Sequence, residues 1–188
     1  MKKIYKWRGL ILGILALVLF ATPAAPLKYE QTITAAVLLT TGILLRIFAR
    51  QSIGEHTRGN VHAAPTLVTT GAYSLLRHPL YVSNTLIASA AILFHLGFST
   101  WTIPFFATLL TLETVLSKTE DLFLENKFQD EWRNWKAHTS AIIPNPKNFR
   151  KTTPSRTFFQ ALRADTSTWF WVFLLIFLLY GRKVFFGA

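Results

Sequence analysis

LVTTGAYSLLRHPLY, residues 67–81, sets Arg77, His78, Tyr73 and Tyr81 between hydrophobic runs long enough to cross a bilayer. A polar, basic, turn-forming stretch is costly beside lipid, and ionisable groups at such a junction mark a functional site by default. Gly71 permits a turn that a side chain would resist, which brings Tyr73 towards the Arg77-His78-Pro79 corner. Pro79 biases His78 to an extended backbone and can open a helix at its first turn. The free N–H groups there suit an anion, and the imidazole can pair with a carboxylate. The same residues also fit a basic membrane boundary with tyrosine anchors, and composition leaves the two readings open.

Outward from this corner, five apolar segments occur: Leu10–Leu27, Thr32–Ala49, Leu80–Phe98, Thr100–Leu116 and Thr168 to about Tyr180. A spanning helix needs about 20 mostly apolar residues, with about 17 as a lower limit. The fifth segment is short unless Val184, Phe185 and Phe186 extend it past Arg182 and Lys183. Lys2, Lys3, Lys6 and Arg8 before the first run give it the outline of a signal peptide, but its prolines sit badly for cleavage and a retained helix is expected. The fold predicted is all-α: a single polytopic membrane domain over 1–188 with about five transmembrane helices. Residues 1–49 form two N-terminal spans, 50–144 a core with a transmembrane hairpin, and 145–188 a basic interfacial segment and last helix.

The chain is 51% hydrophobic and 15% charged, with a net charge of +11. In a soluble protein that charge would point to nucleic acid. Here basic residues flanking apolar helices explain it, and no nucleic-acid partner is expected. Lys and Arg cluster at the N-terminus, in 50–79 and in 117–166, which places those segments in the cytoplasm; Arg182 and Lys183 are the discordant pair. The absence of cysteine excludes disulfides, thiolate metal sites and cysteine nucleophiles. None of His56, His62, His78, His95 and His138 shows metal-ligand spacing with an acidic partner, so no metal site is expected, and His95 reads as structural. Rossmann, P-loop and nucleophile-elbow motifs are missing.

Glu113 lies late in the fourth segment and either snorkels to the interface or faces the interior. Beyond Leu116 the helical period continues with amphipathic character, Leu124, Phe128, Trp132 and Trp135 forming one face. This helix suits the membrane interface and can also close a pocket over 65–81. Residues 139–166 are rich in Thr, Pro and basic residues, mostly irregular with a short helix near Phe158–Arg163, and their charge suits anionic lipid at roughly 1 kcal/mol per cation.

Taken together, LVTTGAY (67–73), RHPLY (77–81), the hairpin, Glu120-Asp121 and Phe128 closely resemble the isoprenylcysteine carboxyl methyltransferase family. That family sits in a wider group of integral-membrane methyltransferases that includes phospholipid N-methyltransferases. The similarity begins upstream at Gly42, Arg46 and Gly54 and runs to about Pro144. The resemblance implies methyl transfer from S-adenosylmethionine to a lipid or lipophilic small molecule, with the active site on the cytoplasmic side. It carries cofactor contacts onto Pro65, Thr66, Leu67, Val68, Tyr73, His78, Pro79, Leu80, Tyr81 and Glu120. Glu120 suits the cofactor's ammonium, His78 and loop N–H groups its carboxylate, and tyrosines and Leu67 its adenine and sulfonium, the aromatic faces contributing roughly 0.5–2 kcal/mol. Leu116 stands where the isoprenylcysteine enzymes carry a substrate-binding arginine, for which Arg46 or Lys118 could substitute, and Phe128-Gln129 replaces a Phe-Gly pair. An ionised carboxylate acceptor needs no base; an amine or phenol does, and Glu113, Asp121 and His78 are the catalytic candidates. The other classes compatible with the chain are an NADPH-dependent membrane sterol or lipid reductase, with Arg58 as its lone 2′-phosphate partner, and a non-catalytic protein that keeps the fold.

Overall fold

The computed structural model describes residues 2–53, 66–150 and 154–186. Pro65 and the upstream positions Gly54, His56, Arg58 and His62 lie outside those residues. Among the described residues all regular structure is helical: α1 (Lys2–Ala21), α2 (Tyr29–Ser52), α3 (Ala72–Leu75), α4 (Pro79–Leu96), α5 (Thr102–His138), a 3₁₀ turn (Pro146–Asn148), α6 (Phe158–Arg163) and α7 (Thr166–Phe186).

All five apolar segments carry helix, the first only as far as Ala21, with residues 22–28 leaving the helix before α2. Three helices are long and apolar enough to cross a membrane: Tyr29–Ser52, Pro79–Leu96 and Thr166–Phe185. Trp7–Ala21 is a shorter apolar helix, and the fourth segment is the leading part of the 37-residue α5. Leu10, Leu17, Val37, Leu44, Ile103, Phe173 and Phe177 point outwards, as a lipid-facing surface requires and a water-facing one would not tolerate in such number.

Packing is tightest between α2 and α4, and Gly42 explains why. A Cβ there would stand 2.8 Å from Cγ1 of Ile87 and 3.1 Å from the Ser83 carbonyl, so only glycine allows the approach. One buried cluster joins Leu19, Ala91, Ile92, Leu96, Phe105, Leu109 and Leu179, from α1, α4, α5 and α7. At that end of the bundle His95 donates from Nε2 to the Thr22 carbonyl at 3.0 Å, while the Ala25 N–H reaches the His95 carbonyl at 2.8 Å. Lys183 donates to the Ala25 carbonyl and Arg182 lies over the Phe20 ring. The discordant cations are thus held by a carbonyl and an aromatic face of the 20–28 region rather than by lipid.

The last helix is longer than the short fifth segment, because its period continues through Gly181-Arg182-Lys183 to Phe186. At its other end α6 matches the expected Phe158–Arg163, started by a capping box in which Thr157 and Gln160 bond each other's main chain.

Candidate active site

The opposite end of the bundle carries residues 46–53, 71–81 and 116–150 and gathers most of the described candidate residues. Gly71 takes φ 60°, ψ −130° ahead of the single turn α3, a conformation costly for any other residue. That turn buries Tyr73 in a cluster with Ala49, Ile53 and Ala72, against which Val68, Leu80 and Trp135 pack. Pro79 opens α4 at its first position, with His78 before it at φ −120°, ψ 57°.

His78 is buried, and its Nε2 donates to Oδ1 of Asp121 at 3.0 Å. Arg77 donates from Nη2 to the other oxygen of Asp121 at 3.2 Å and from Nη1 to the Thr139 carbonyl at 2.6 Å. Burial pushes the Asp121 carboxyl up, but the hydrogen bonds and charges of His78 and Arg77 outweigh it and hold the group below the usual carboxylate range. The Tyr81 ring stands 5.6 Å from that of His78, centroid to centroid. The acid that meets the His78 corner is therefore Asp121, while Glu120, the preceding residue on α5, is close enough to Tyr73 for its charge to act there. Burial first, and the Glu120 charge second, push the Tyr73 phenol up.

Residues 139–150 do more than ride on lipid. The Arg77 N–H bonds the Ser140 carbonyl at 2.8 Å, that of His78 the Ala141 carbonyl at 3.1 Å, and that of Gly71 the Arg150 carbonyl at 2.9 Å. This irregular strip is laid main chain to main chain across 71–78 and forms an outer wall of the corner. The sequence analysis missed it, since main-chain pairing leaves no side-chain pattern; Pro144 and Pro146, which keep the strip out of a helix, were the available signal. Between this strip and the end of α5 lies a cavity of about 500 Å³ whose lining includes Thr69, Ser74, Glu131, Trp135, His138 and Arg150. None of the residues assigned to the cofactor lines it.

Arg46 does not stand free for a substrate carboxylate. Its Nε donates to Oδ2 of Asp165 at 2.8 Å, its Nη1 to Oδ1 of Asn84 at 2.6 Å and its Nη2 to Thr168 at 3.3 Å. Arg50 takes both oxygens of the same Asp165 at 2.8 Å. Arg46, Arg50 and Asp165 are 7%, 8% and 2% exposed, so two guanidiniums share one buried carboxylate. Burial raises the Asp165 carboxyl, but the Arg50 hydrogen bond and both arginine charges draw it below its ordinary range.

Leu116 is buried on α5. Glu113, one turn earlier, is 5% exposed and faces the interior. Neither of its oxygens has a hydrogen-bond partner among the described residues. The Asn84 side-chain amide stands beside the carboxylate, and the Arg46 and Arg8 charges act on it from further away. Of the remaining assignments, Thr66 is exposed and Leu67 and Val68 half-buried at the start of the non-helical run into Gly71. No group of acidic or histidine side chains able to hold a metal occurs among the described residues.

The profile of the phospholipid methyltransferase family matches residues 30–131 of this chain. That stretch takes in α2, the 67–81 corner, α4 and most of α5. The cobalt-zinc-cadmium resistance protein CzcN of Cupriavidus metallidurans is 32% identical over 174 residues, covering 87% of this chain and 74% of that protein. No solved structure matches the chain.

Proposed function

Because the chain belongs to the phospholipid methyltransferase family of membrane methyltransferases, we propose that it transfers a methyl group from S-adenosylmethionine to a lipophilic acceptor. The observation that carries this reading is the convergence of Tyr73, His78 and the Glu120-Asp121 pair at one end of an apolar bundle. The residues fit the donor molecule. Half-buried Glu120, beside Tyr73, suits an ammonium, and the Tyr73 and Tyr81 rings suit a sulfonium. The His78–Asp121 pair fixes the turn that feeds α4, so His78 serves the pocket by shaping it as well as by any contact of its own. The donor supplies an activated methyl group. The protein's part is positioning and exclusion of water for an in-line displacement.

The basic flanks put this end in the cytoplasm, so the donor enters from water and the acceptor from the bilayer. Calorimetry with S-adenosylhomocysteine on the purified protein tests the reading, with NADPH as the competing ligand. Wild type should bind the first and not the second. Glu120→Gln and His78→Ala should each weaken that binding by about 1–3 kcal/mol, the range for an orphaned charged hydrogen bond. Wild-type affinity in both variants would remove these residues from the site.

A further inference from the structure

Glu113 is a carboxylate buried inside the bundle, with no ion-pair partner in contact among the described residues and the Asn84 amide as its nearest polar neighbour. Such a group costs several kcal/mol if left charged and alone, and nothing in the packing of α5 requires an acid there: its buried neighbours on that helix are Leu109, Leu112 and Leu116. Its place relative to the proposed donor pocket is specific. Glu113 and Glu120 are seven residues apart on α5, which puts them on the same face about 10 Å apart along the axis. Glu120 lies towards the His78 corner and Glu113 two turns further into the apolar part of α5. An anionic acceptor would meet a like charge there. Two guanidiniums act on it: Arg46 of α2, whose Nε, Nη1 and Nη2 are committed to Asp165, Asn84 and Thr168, and Arg8 of α1, whose charge bears on Glu113 itself.

We propose that Glu113 is the acceptor-side catalytic residue, and that the acceptor is a proton-bearing nucleophile, an amine or a hydroxyl, rather than a carboxylate. This rests on the methyltransferase reading above. In the step it serves, the acceptor's lone pair forms a bond to the methyl carbon as the carbon–sulfur bond breaks and its electrons stay on sulfur. The proton the acceptor loses passes to Glu113. Asn84, held through its oxygen by Arg46, lies beside the carboxylate as a second polar group for the same ligand.

The test uses the full chain reconstituted in nanodiscs made from the polar lipid extract of the expressing cells, with tritium-labelled S-adenosylmethionine. Calorimetry with S-adenosylhomocysteine is run on the same preparations. Wild type should give a labelled product from which mild base releases no volatile tritiated methanol, since N-methyl and O-methyl bonds survive it and methyl esters do not. After strong-acid hydrolysis, label retained on a cation-exchange resin as a water-soluble base identifies an amine; label in a neutral product identifies an ether. Glu113→Gln should bind S-adenosylhomocysteine like wild type while transfer falls at least about 100-fold, the lower bound for losing a general base. Base-labile label, undiminished transfer by Glu113→Gln, or a wild type that binds S-adenosylhomocysteine yet labels no lipid would each overturn the assignment. Should Glu113→Gln fail to fold, the base stability of the wild-type product still decides. Failure of wild type to bind S-adenosylhomocysteine would instead bring down the methyltransferase reading itself.

Discussion

Asp121 takes Nη2 of Arg77 on one oxygen and Nε2 of His78 on the other, and so ties α5 to the turn that starts α4. Its carboxyl titrates lower in the folded protein than in an unfolded chain. The sign follows from linkage: this group stabilises the fold above its unfolded value of about 4, and the contribution is lost as pH falls through the lower folded value. Melting temperatures of wild type and Asp121→Asn, taken in detergent from pH 7 down to pH 3, should therefore differ most at neutral pH and converge below about pH 4. Parallel curves would show that Asp121 contributes nothing through ionisation. The Arg77-His78-Pro79 corner was legible in the sequence because its parts are contiguous and their chemistry is local. Which acid meets it was not. Glu120 and Asp121 are adjacent on a helix and diverge by about 100°, so a rotation that no sequence pattern records decides that Asp121 reaches His78 while Glu120 is turned to Tyr73.

At the scale of elements, α5 carries both the deep Glu113 and the corner acids, and its course is broken once. Gln129 takes φ 43°, ψ −111° inside the helix, a region unfavourable to a side chain and held only because its surroundings impose it. On the far side of the break Trp132 is 1% exposed and Trp135 donates from Nε1 to the Tyr73 carbonyl at 3.2 Å, which anchors the redirected segment to the site. The helical period of Leu124, Phe128, Trp132 and Trp135 was readable, but the break was not signalled by a proline or glycine. The resemblance does place a glycine at this position. Strain of about 1–3 kcal/mol outweighs the roughly 0.5–1 kcal/mol entropic cost of glycine. Gln129→Gly should thus stabilise the protein by about 1 kcal/mol, raising its melting temperature in detergent, whereas glycine at an ordinary helical position such as Asn126 should lower it. Destabilisation by Gln129→Gly would mean the break is not strained.

For the whole molecule, the decisive joint is the one between the family-matched region and the C-terminal helix. Residues 30–131 contain α2 and the corner, yet Arg46 and Arg50 of α2 are completed by Asp165, 119 and 115 positions away, at the start of α7. A contact of that span leaves no local sequence signal; Asp165 drew no reading of its own within the basic 139–166 segment, and Arg46 read as a residue open to substrate. The cluster also reaches the site, since Arg50, Arg46 and Asp165 all act electrostatically on Tyr73. Removing one partner from a buried ion cluster costs about 3–5 kcal/mol, because the charge left behind is unpaired in a dry interior. Asp165→Asn leaves two guanidiniums facing a neutral amide, so α7 should undock at its Thr166 end while Thr157 still caps α6. Two measurements check this: a lowered melting temperature, and faster tryptic cleavage after Arg156 and Arg163 than in wild type. Asp130→Asn, which removes an exposed acid paired with Arg133, should change neither, since such surface pairs contribute about 0–1 kcal/mol. If Asp165→Asn and Asp130→Asn melt and digest alike, the last helix is held by its apolar face alone, and the charge cluster does not join it to the site.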